Sequence, residues 1–215
     1  GGVVAMVFYF ETKDGTVIYM GRDKHENEEL IRHGRPTDLW FHVDNLSSAH
    51  VYLRMPQGID WDTLSDEAVA ECSQLVKANS IQGCKQNNVP VVYTPWANLK
   101  KTSHMVVGQV GFHDEKLVKR TLVEKKNNEV VNRLNRTKTE RPTASFVEER
   151  EAWEAEQRRL AHRKKAQLKE QQKEEARERE RQKELQSYSG VMESELMTSS
   201  REMAQKYDSV EDYED

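Results

Sequence analysis

Two histidines eight residues apart are the clearest candidates for site chemistry in this chain of 215 residues. His42 and His50 fall on two neighbouring predicted strands, so their imidazole rings could face each other across the strand pair. A tetrahedral metal site needs at least one more ligand, and Asp38 or Asp44 is the nearest candidate. We expect instead that both histidines are structural residues or polar groups of a binding surface, with no metal and no cofactor.

Basic residues offer a second kind of chemistry, because they are concentrated in one part of the chain. Residues 77–141 carry 13 basic and 5 acidic side chains, whereas residues 1–76 carry 6 and 13. Such a segment within a folded domain is typical of surfaces that bind nucleic-acid phosphates. The alternative is that these side chains are only solvated or pair with acidic ones. The candidate phosphate ligands are Lys77, Lys85, Lys100 and Lys101, with Arg22 and Lys24 as a second basic spot.

An aromatic residue lies close to these lysines in the sequence. Trp96 follows Pro95 in a predicted loop, just before the Lys100-Lys101 pair. An exposed indole ring can stack on a base while lysines hold the adjoining phosphates. The alternative is that Trp96 anchors the loop in the core.

Motifs of known enzyme classes are absent from the sequence. It contains no phosphate-binding loop with Lys-Ser or Lys-Thr, no Gly-x-Ser-x-Gly and no His-Glu-x-x-His. Cys72 and Cys84 match no zinc or redox spacing. We therefore expect a non-enzymatic protein.

The segment 6–142 must position these side chains, and its sequence predicts an α+β domain with a mainly antiparallel sheet. Stretches rich in β-branched and aromatic residues are interspersed with two or three helical ones, without regular βαβ units. Asp14-Gly15 is a hairpin signal between the first two strands. The predicted strands cover 7–10, 16–20, 39–43, 50–54, 91–94, 109–112 and 118–123, and the predicted helices begin near Asn27, Ser65 and Asn127.

The segment 143–187 is predicted to form one long charged helix. From Phe146 onward it contains neither Gly nor Pro, and Glu, Lys, Arg, Gln and Ala dominate. Phe146, Trp153 and Leu160 are spaced by seven residues, but a stable coiled-coil dimer needs more heptads than this seam offers. We therefore expect a solvated single helix, with a short coiled-coil seam with a second copy or a partner as the alternative.

Both ends of the chain are predicted to lie outside the fold. Gly1–Ala5 are interpreted as a remnant ahead of the native start at Met6, and residues 188–215 as a disordered acidic tail. No apolar run approaches the roughly 18–20 residues that cross a bilayer, so no transmembrane segment is predicted. The expected location is the cytoplasm or the nucleus, with peripheral membrane association left open.

Several separated motifs, by their sequences and by their order along the chain, resemble those of the NFACT-R domain family. The resemblance covers about residues 6–140. It implies a domain that recognises RNA and carries no catalytic residue, in proteins that engage the large ribosomal subunit and its tRNA. The motifs are Asp38-Leu39-Trp40-Phe41-His42-Val43, Ser47-Ser48-Ala49-His50-Val51-Tyr52-Leu53-Arg54, Val91-Val92-Tyr93-Thr94, Leu99-Lys100-Lys101 and Gly108-Gln109-Val110. The face implied by motif match consists of Trp40, His42, His50, Arg54, Lys100 and Lys101.

The leading hypothesis is a nucleic-acid-binding protein that recognises structured RNA, such as tRNA or rRNA, in association with ribosomes. DNA is an alternative ligand of the same basic surface, because phosphate contacts do not distinguish the two. A protein-interaction adaptor is the rival hypothesis. In that case the long helix binds the ribosome or a protein partner, and the folded domain is its platform.

Overall fold

The structure is a computed structural model that describes residues 5–208. Within these residues the chain forms nine strands and four α-helices, and every strand pair is antiparallel. The predicted α+β class with a mainly antiparallel sheet is therefore confirmed. Residues 1–4 of the predicted remnant and 209–215 of the predicted tail lie outside the described residues.

Seven of the strands form one sheet and two form a small separate one. The strands are β1 (Met6–Glu11), β2 (Val17–Gly21), β3 (Leu39–Val43), β4 (Val51–Leu53), β5 (Val89–Pro95), β6 (Leu99–Lys100), β7 (Gly111–Phe112), β8 (Lys119–Val123) and β9 (Thr139–Pro142). The main sheet has the order β8-β5-β3-β4-β2-β1-β9, and β6 pairs with β7. The helices are α1 (Lys24–His33), α2 (Asp66–Ala78), α3 (Asn128–Arg136) and α4 (Thr143–Asp208).

Local signals explain most element boundaries. The predicted hairpin is formed by β1 and β2, and Gly15 in its turn has φ +83°, which glycine adopts without Cβ strain. The side chain of Ser65 accepts a hydrogen bond from the Ala68 N–H and begins α2. Asn127 caps α3 in the same way through the N–H groups of its first turn.

The first helix and strand β9 are among the elements that differ from the sequence prediction. The first helix begins at Lys24 rather than after Asn27, because the Asp23 carboxylate accepts the N–H groups of His25 and Glu26. Strand β9 was not predicted, because its four residues are all exposed and show no apolar alternation. It is held by backbone pairing with β1.

The main sheet buries a different set of side chains on each face. One face packs against α2 and α3 around Phe10, Phe41 and Leu75. On the other face, Tyr19, Trp40 and other residues pack with Leu30 of α1, Phe112 of β7 and the first turns of α4. The alternation of β3 explains this division, since Leu39 and Phe41 point to the first face and Trp40 to the second.

The compact unit of the structure continues beyond Pro142, where the sequence analysis ends the domain, and it reaches Glu154. Phe146 is 1% exposed, and its ring lies 5.0 Å from that of Tyr19. Arg54 forms an ion pair with Glu149 at 3.0 Å. The first turns of α4 therefore complete the buried second face of the sheet.

Residues 155–208 are helical and form the second unit. The helix passes Ser187, where the prediction ends it, and reaches Asp208. This part of the predicted tail contains good helix formers and only one glycine, Gly190, and no proline. No helix in residues 5–208 is long and apolar enough to cross a membrane.

The predicted coiled-coil seam is partly used within the folded unit. Phe146 is buried against the sheet, and the Trp153 ring lies under the guanidinium groups of Arg35 and Arg150, at 5.7 and 5.4 Å. Two of the three seam residues therefore serve the fold itself.

Candidate functional site

A cleft of about 290 Å³ opens on the second face of the sheet, between β3, β8 and the loop that leads into β7. Sheet register explains its composition, because His42 pairs with Val92 and Val92 pairs with Arg120. These three side chains therefore form one row across the same face. The side chains that give the cleft its chemistry are Trp40, His42, Asp44, His50, Phe112 and Arg120.

A buried hydrogen bond fixes the floor of the cleft. The Trp40 Nε1–H donates to His50 Nδ1 at 2.8 Å, and the two residues are 2% and 4% exposed. Because Nδ1 accepts, the proton of the neutral ring is on Nε2. Burial and the neighbouring His42 lower the pKa of His50 to about 3, so the ring is neutral at pH 7.

The structure brings the two predicted histidines together, with ring centroids 4.9 Å apart. His42 stacks on Trp40 at 5.5 Å and 5°, and its Nδ1–H donates to the Val43 carbonyl at 2.7 Å. Burial also lowers the pKa of His42. No group of three or more His, Cys, Asp or Glu that could hold a metal occurs in the described part of the chain.

Acid should destabilise the protein through His50. A histidine whose folded-state pKa lies below its unfolded value of about 6.5 contributes stability that is complete above that pH and is lost as pH falls toward 3. Between pH 6.5 and 5 the expected loss in the free energy of unfolding is about 2 kcal/mol. Urea unfolding at pH 7.5 and 5 checks this.

The control for this pH effect is His50→Gln, which keeps an acceptor for Trp40 but does not titrate. We expect its loss of stability between the same two pH values to be smaller by about 2 kcal/mol. Equal losses in the two proteins would contradict the assignment of the pH dependence to His50.

Opposite charges meet at the open side of the cleft. The Arg120 side chain is 58% exposed, and its Nε lies 3.4 Å from Asp44 Oδ2. An exposed ion pair of this kind is weak, so the guanidinium group remains available to an anionic ligand. Arg120 was predicted only as one cation of the basic segment, and Phe112 was not predicted as a residue of the site.

Lys101 holds the loop that forms one wall of the cleft. Its Nζ donates to Glu28 Oε2 at 3.0 Å and to the carbonyls of Val106 and Gln109 at 2.8 and 2.9 Å. The Gly108 N–H also donates to Glu28, at 2.9 Å. The structure therefore places Lys101 as a positioning residue whose donors are already occupied.

Two predicted lysines lie near the cleft with exposed side chains. Lys100 is on β6 and pairs with Gly111 beside Phe112. Lys24 lies next to the wall, because a Cβ built on Gly108 would be 3.6 Å from the Lys24 Cβ. Neither forms an ion pair with another residue described in the structure.

Other predicted site residues have structural partners away from the cleft. Lys77 is buried and donates to the carbonyls of Gly83, at 2.8 Å, and Gln86. Arg54 contacts Glu149 and lies 4.0 Å from the buried Asp38. These contacts leave neither cation directed at solvent.

The remaining predicted residues also lie elsewhere. Trp96 is half-buried and donates to the Leu30 carbonyl at 3.3 Å, with Arg150 over its ring, which corresponds to the anchor alternative. Arg22 pairs with Glu26 at 3.3 Å. Lys85 is exposed at the end of a short 3-10 helix.

Comparison with known proteins gives matches over most of the chain. A family model described as the NFACT protein RNA binding domain matches residues 6–114. Coiled-coil domain-containing protein 25 of Danio rerio is 53% identical over 200 residues, which cover 92% of this chain and 96% of that protein. The Mus musculus protein of the same name is 53% identical over 204 residues, with the same coverage. Protein JLP2 of Saccharomyces cerevisiae is 36% identical over 143 residues, 63% of this chain and 69% of that protein.

Proposed function

The chain belongs to the family of NFACT RNA-binding domains, and from this premise we propose that it binds structured RNA without catalysing a reaction. Membership of the family indicates nucleic-acid binding. The finer proposal is that the ligand is a tRNA or rRNA encountered on ribosomes in the cytoplasm. The observation that supports RNA binding is the cleft, in which Arg120 lies beside the rings of Trp40, His42 and His50.

The interior of the cleft suits an unpaired base. Its volume of about 290 Å³ admits a base and its sugar, and its walls include Phe112 and the partly exposed His42. Unstacked bases in RNA loops are recognised by aromatic rings and by hydrogen bonds to their edges. Because the histidines are neutral, they offer hydrogen bonding rather than charge.

The rim of the cleft suits phosphates. Arg120 lines the cleft, and the exposed Lys24 and Lys100 lie beside its walls, next to Gly108 and Gly111 respectively. A folded RNA presents an unstacked base next to its phosphate backbone. The rings of the cleft can contact the base while the cations beside it contact the phosphates. DNA remains the alternative ligand, because these cations alone do not distinguish the two backbones.

A salt titration of the full chain tests the proposal. Binding to tRNA, an rRNA hairpin and duplex DNA of equal length should fall steeply with salt, with RNA bound more tightly than DNA. Lys24→Gln/Lys100→Gln should weaken binding about 10-fold and reduce the slope of log K against log salt by about 2.

The matched control is Arg136→Gln, an exposed cation at the end of α3, which packs on the opposite face of the sheet. Its affinity for RNA should stay within about 2-fold of the unmodified protein. Failure of the unmodified chain to bind any RNA at near-physiological salt would reject the proposal, and a preference for duplex DNA would reassign the ligand.

The adaptor hypothesis has less support from the structure. It relied on Phe146, Trp153 and Leu160 as a docking stripe, and the first two contact the folded unit instead. An interaction of residues 155–208 with the ribosome or a protein partner stays a prediction.

A further inference from the structure

A second cleft lies on the other side of the edge strand β8, between α2 and the loop that leads into α3. Its volume is about 520 Å³. Lys125 and Lys126 belong to the basic segment 77–141 but were not among the predicted site residues, and the cleft described above does not include any residue of α2 or of this loop. The residues that matter for its chemistry are Ser73, Gln74, Leu122, Lys125, Lys126 and Asn128.

The loop that carries the two lysines is held in place. Gln74 Nε2–H donates to the Lys125 carbonyl at 3.0 Å, and Gln74 Oε1 accepts the Asn127 N–H at 2.9 Å. One side chain of α2 therefore clamps the loop from both sides. A loop fixed in this way loses little conformational entropy when it binds a ligand.

Lys125 and Lys126 are exposed, and neither forms an ion pair with any residue in the described ranges. Glu124 is the carboxylate of the described lining, and it lies beside this pair in the loop. With two lysines and one glutamate, the lining of the cleft has a net positive charge, which suits a phosphate.

Ser73 supplies an independent indication of a ligand. Ser73 is 1% exposed, and its Oγ has no hydrogen-bond partner within the described chain. Buried hydroxyl groups are nearly always paired, and an unpaired one costs free energy. Ser73 also lines the cleft, so a group bound there would lie next to this buried, unpaired O–H.

The two clefts are neighbours across β8. Arg120 lines the first cleft, while Leu122, 57% exposed and two residues further on, lines the second. No strand among the described residues pairs with the outer edge of β8. From Arg120 to Lys125 the chain spans at most about 17 Å, at roughly 3.3 Å per residue.

We propose that the second cleft binds a backbone phosphate of the same RNA strand whose base enters the first cleft, so that the strand crosses the edge of β8 at Leu122. This inference rests on the proposed function and adds the path of the RNA. Lys125 and Lys126 neutralise the phosphate, and Ser73 donates a hydrogen bond to it. A single strand of about 8–12 nucleotides is long enough to reach both clefts.

The test uses the full chain and a fluorescein-labelled 12-nucleotide single-stranded RNA, titrated at several salt concentrations. Lys125→Gln/Lys126→Gln should weaken binding about 10-fold and reduce the salt slope by about 0.7, the value for one phosphate contact on a single strand. Lys164→Gln/Lys165→Gln is the matched control, because it removes two adjacent exposed lysines from α4. Its affinity should change by less than about 2-fold.

A second variant separates binding from folding. Ser73→Ala removes a hydroxyl that has no partner in the described protein, so its melting temperature should not fall, while its affinity for the RNA falls about 3- to 10-fold. This variant reports on the cleft without changing charge.

The outcomes distinguish the two proposals. Suppose the unmodified chain binds the RNA and Arg120→Glu weakens binding by the expected 10-fold or more. If the Lys125/Lys126 and Ser73 variants then bind as tightly as the unmodified chain, the path across β8 is overturned and the proposed function stands. Equal losses in the two double-lysine variants would also overturn it, because the effect would then be one of overall charge. Absence of any RNA binding by the unmodified chain would reject both.

Discussion

Phe146→Ala should lower the free energy of unfolding by about 3–5 kcal/mol, the usual cost of removing a fully buried aromatic ring. The ring is 1% exposed and contacts Tyr19, and the Arg54 guanidinium lies 6.0 Å from its centre. Its loss opens a cavity in the second face of the sheet and exposes the Arg54–Glu149 pair. Chemical denaturation of the full chain, followed by tryptophan fluorescence, measures the change.

Leu168→Ala is the matched control on the same helix. Leu168 is largely exposed, so the expected change is within about 0.5 kcal/mol. If Phe146→Ala were as mild as this control, the first turns of α4 would not be part of the fold. If the large loss is observed, a fragment that ends at Pro142 is expected to be a poor substitute for the domain in binding experiments.

Arg120→Glu should weaken the binding of structured RNA by about 10- to 100-fold, because it replaces a phosphate ligand by a charge that repels phosphate. The new carboxylate also stands beside Asp44, which is 3.4 Å from the present guanidinium. Filter binding or fluorescence anisotropy at two salt concentrations measures the effect. The side chain is 58% exposed, so the fold should tolerate the change.

Asp44→Asn supplies a variant with the opposite expected sign. Removing this carboxylate frees Arg120 and reduces repulsion of the backbone, so RNA affinity should rise about 2- to 5-fold at low salt. A gain in one variant together with a loss in the other would locate the effect at the cleft. If both variants left RNA affinity unchanged, the cleft would not be the binding site.

Local patterns predicted the parts of the fold that depend on neighbours in the sequence. The aromatic and aliphatic residues of Leu39–Val43 predict β3, and the predicted helix starts at Ser65 and Asn127 agree with where α2 and α3 begin. Strand β9 could not be predicted in this way, because only pairing with β1, more than 120 residues away in the chain, makes Thr139–Pro142 a strand.

The site was predicted in part, for a related reason. The two histidines were placed correctly, because adjacent strands bring them together. Which lysines are free to bind depends on distant partners that no local pattern contains. Lys101 is occupied by Glu28, 73 positions earlier, and Lys77 by carbonyls of the turn that follows its helix. Heptad spacing likewise predicted Phe146 as a seam residue, although the sheet covers it.

The buried hydrogen bond from Trp40 to His50 determines how the cleft responds to pH. With the pKa of His50 at about 3, the hydrogen bond that it accepts from Trp40 stays the same between mildly acidic and neutral surroundings. The affinity of the cleft for RNA should therefore change little over this pH range as long as the protein stays folded. A ligand captured at neutral pH would not be released by moderate acidification, so release would require competition or salt.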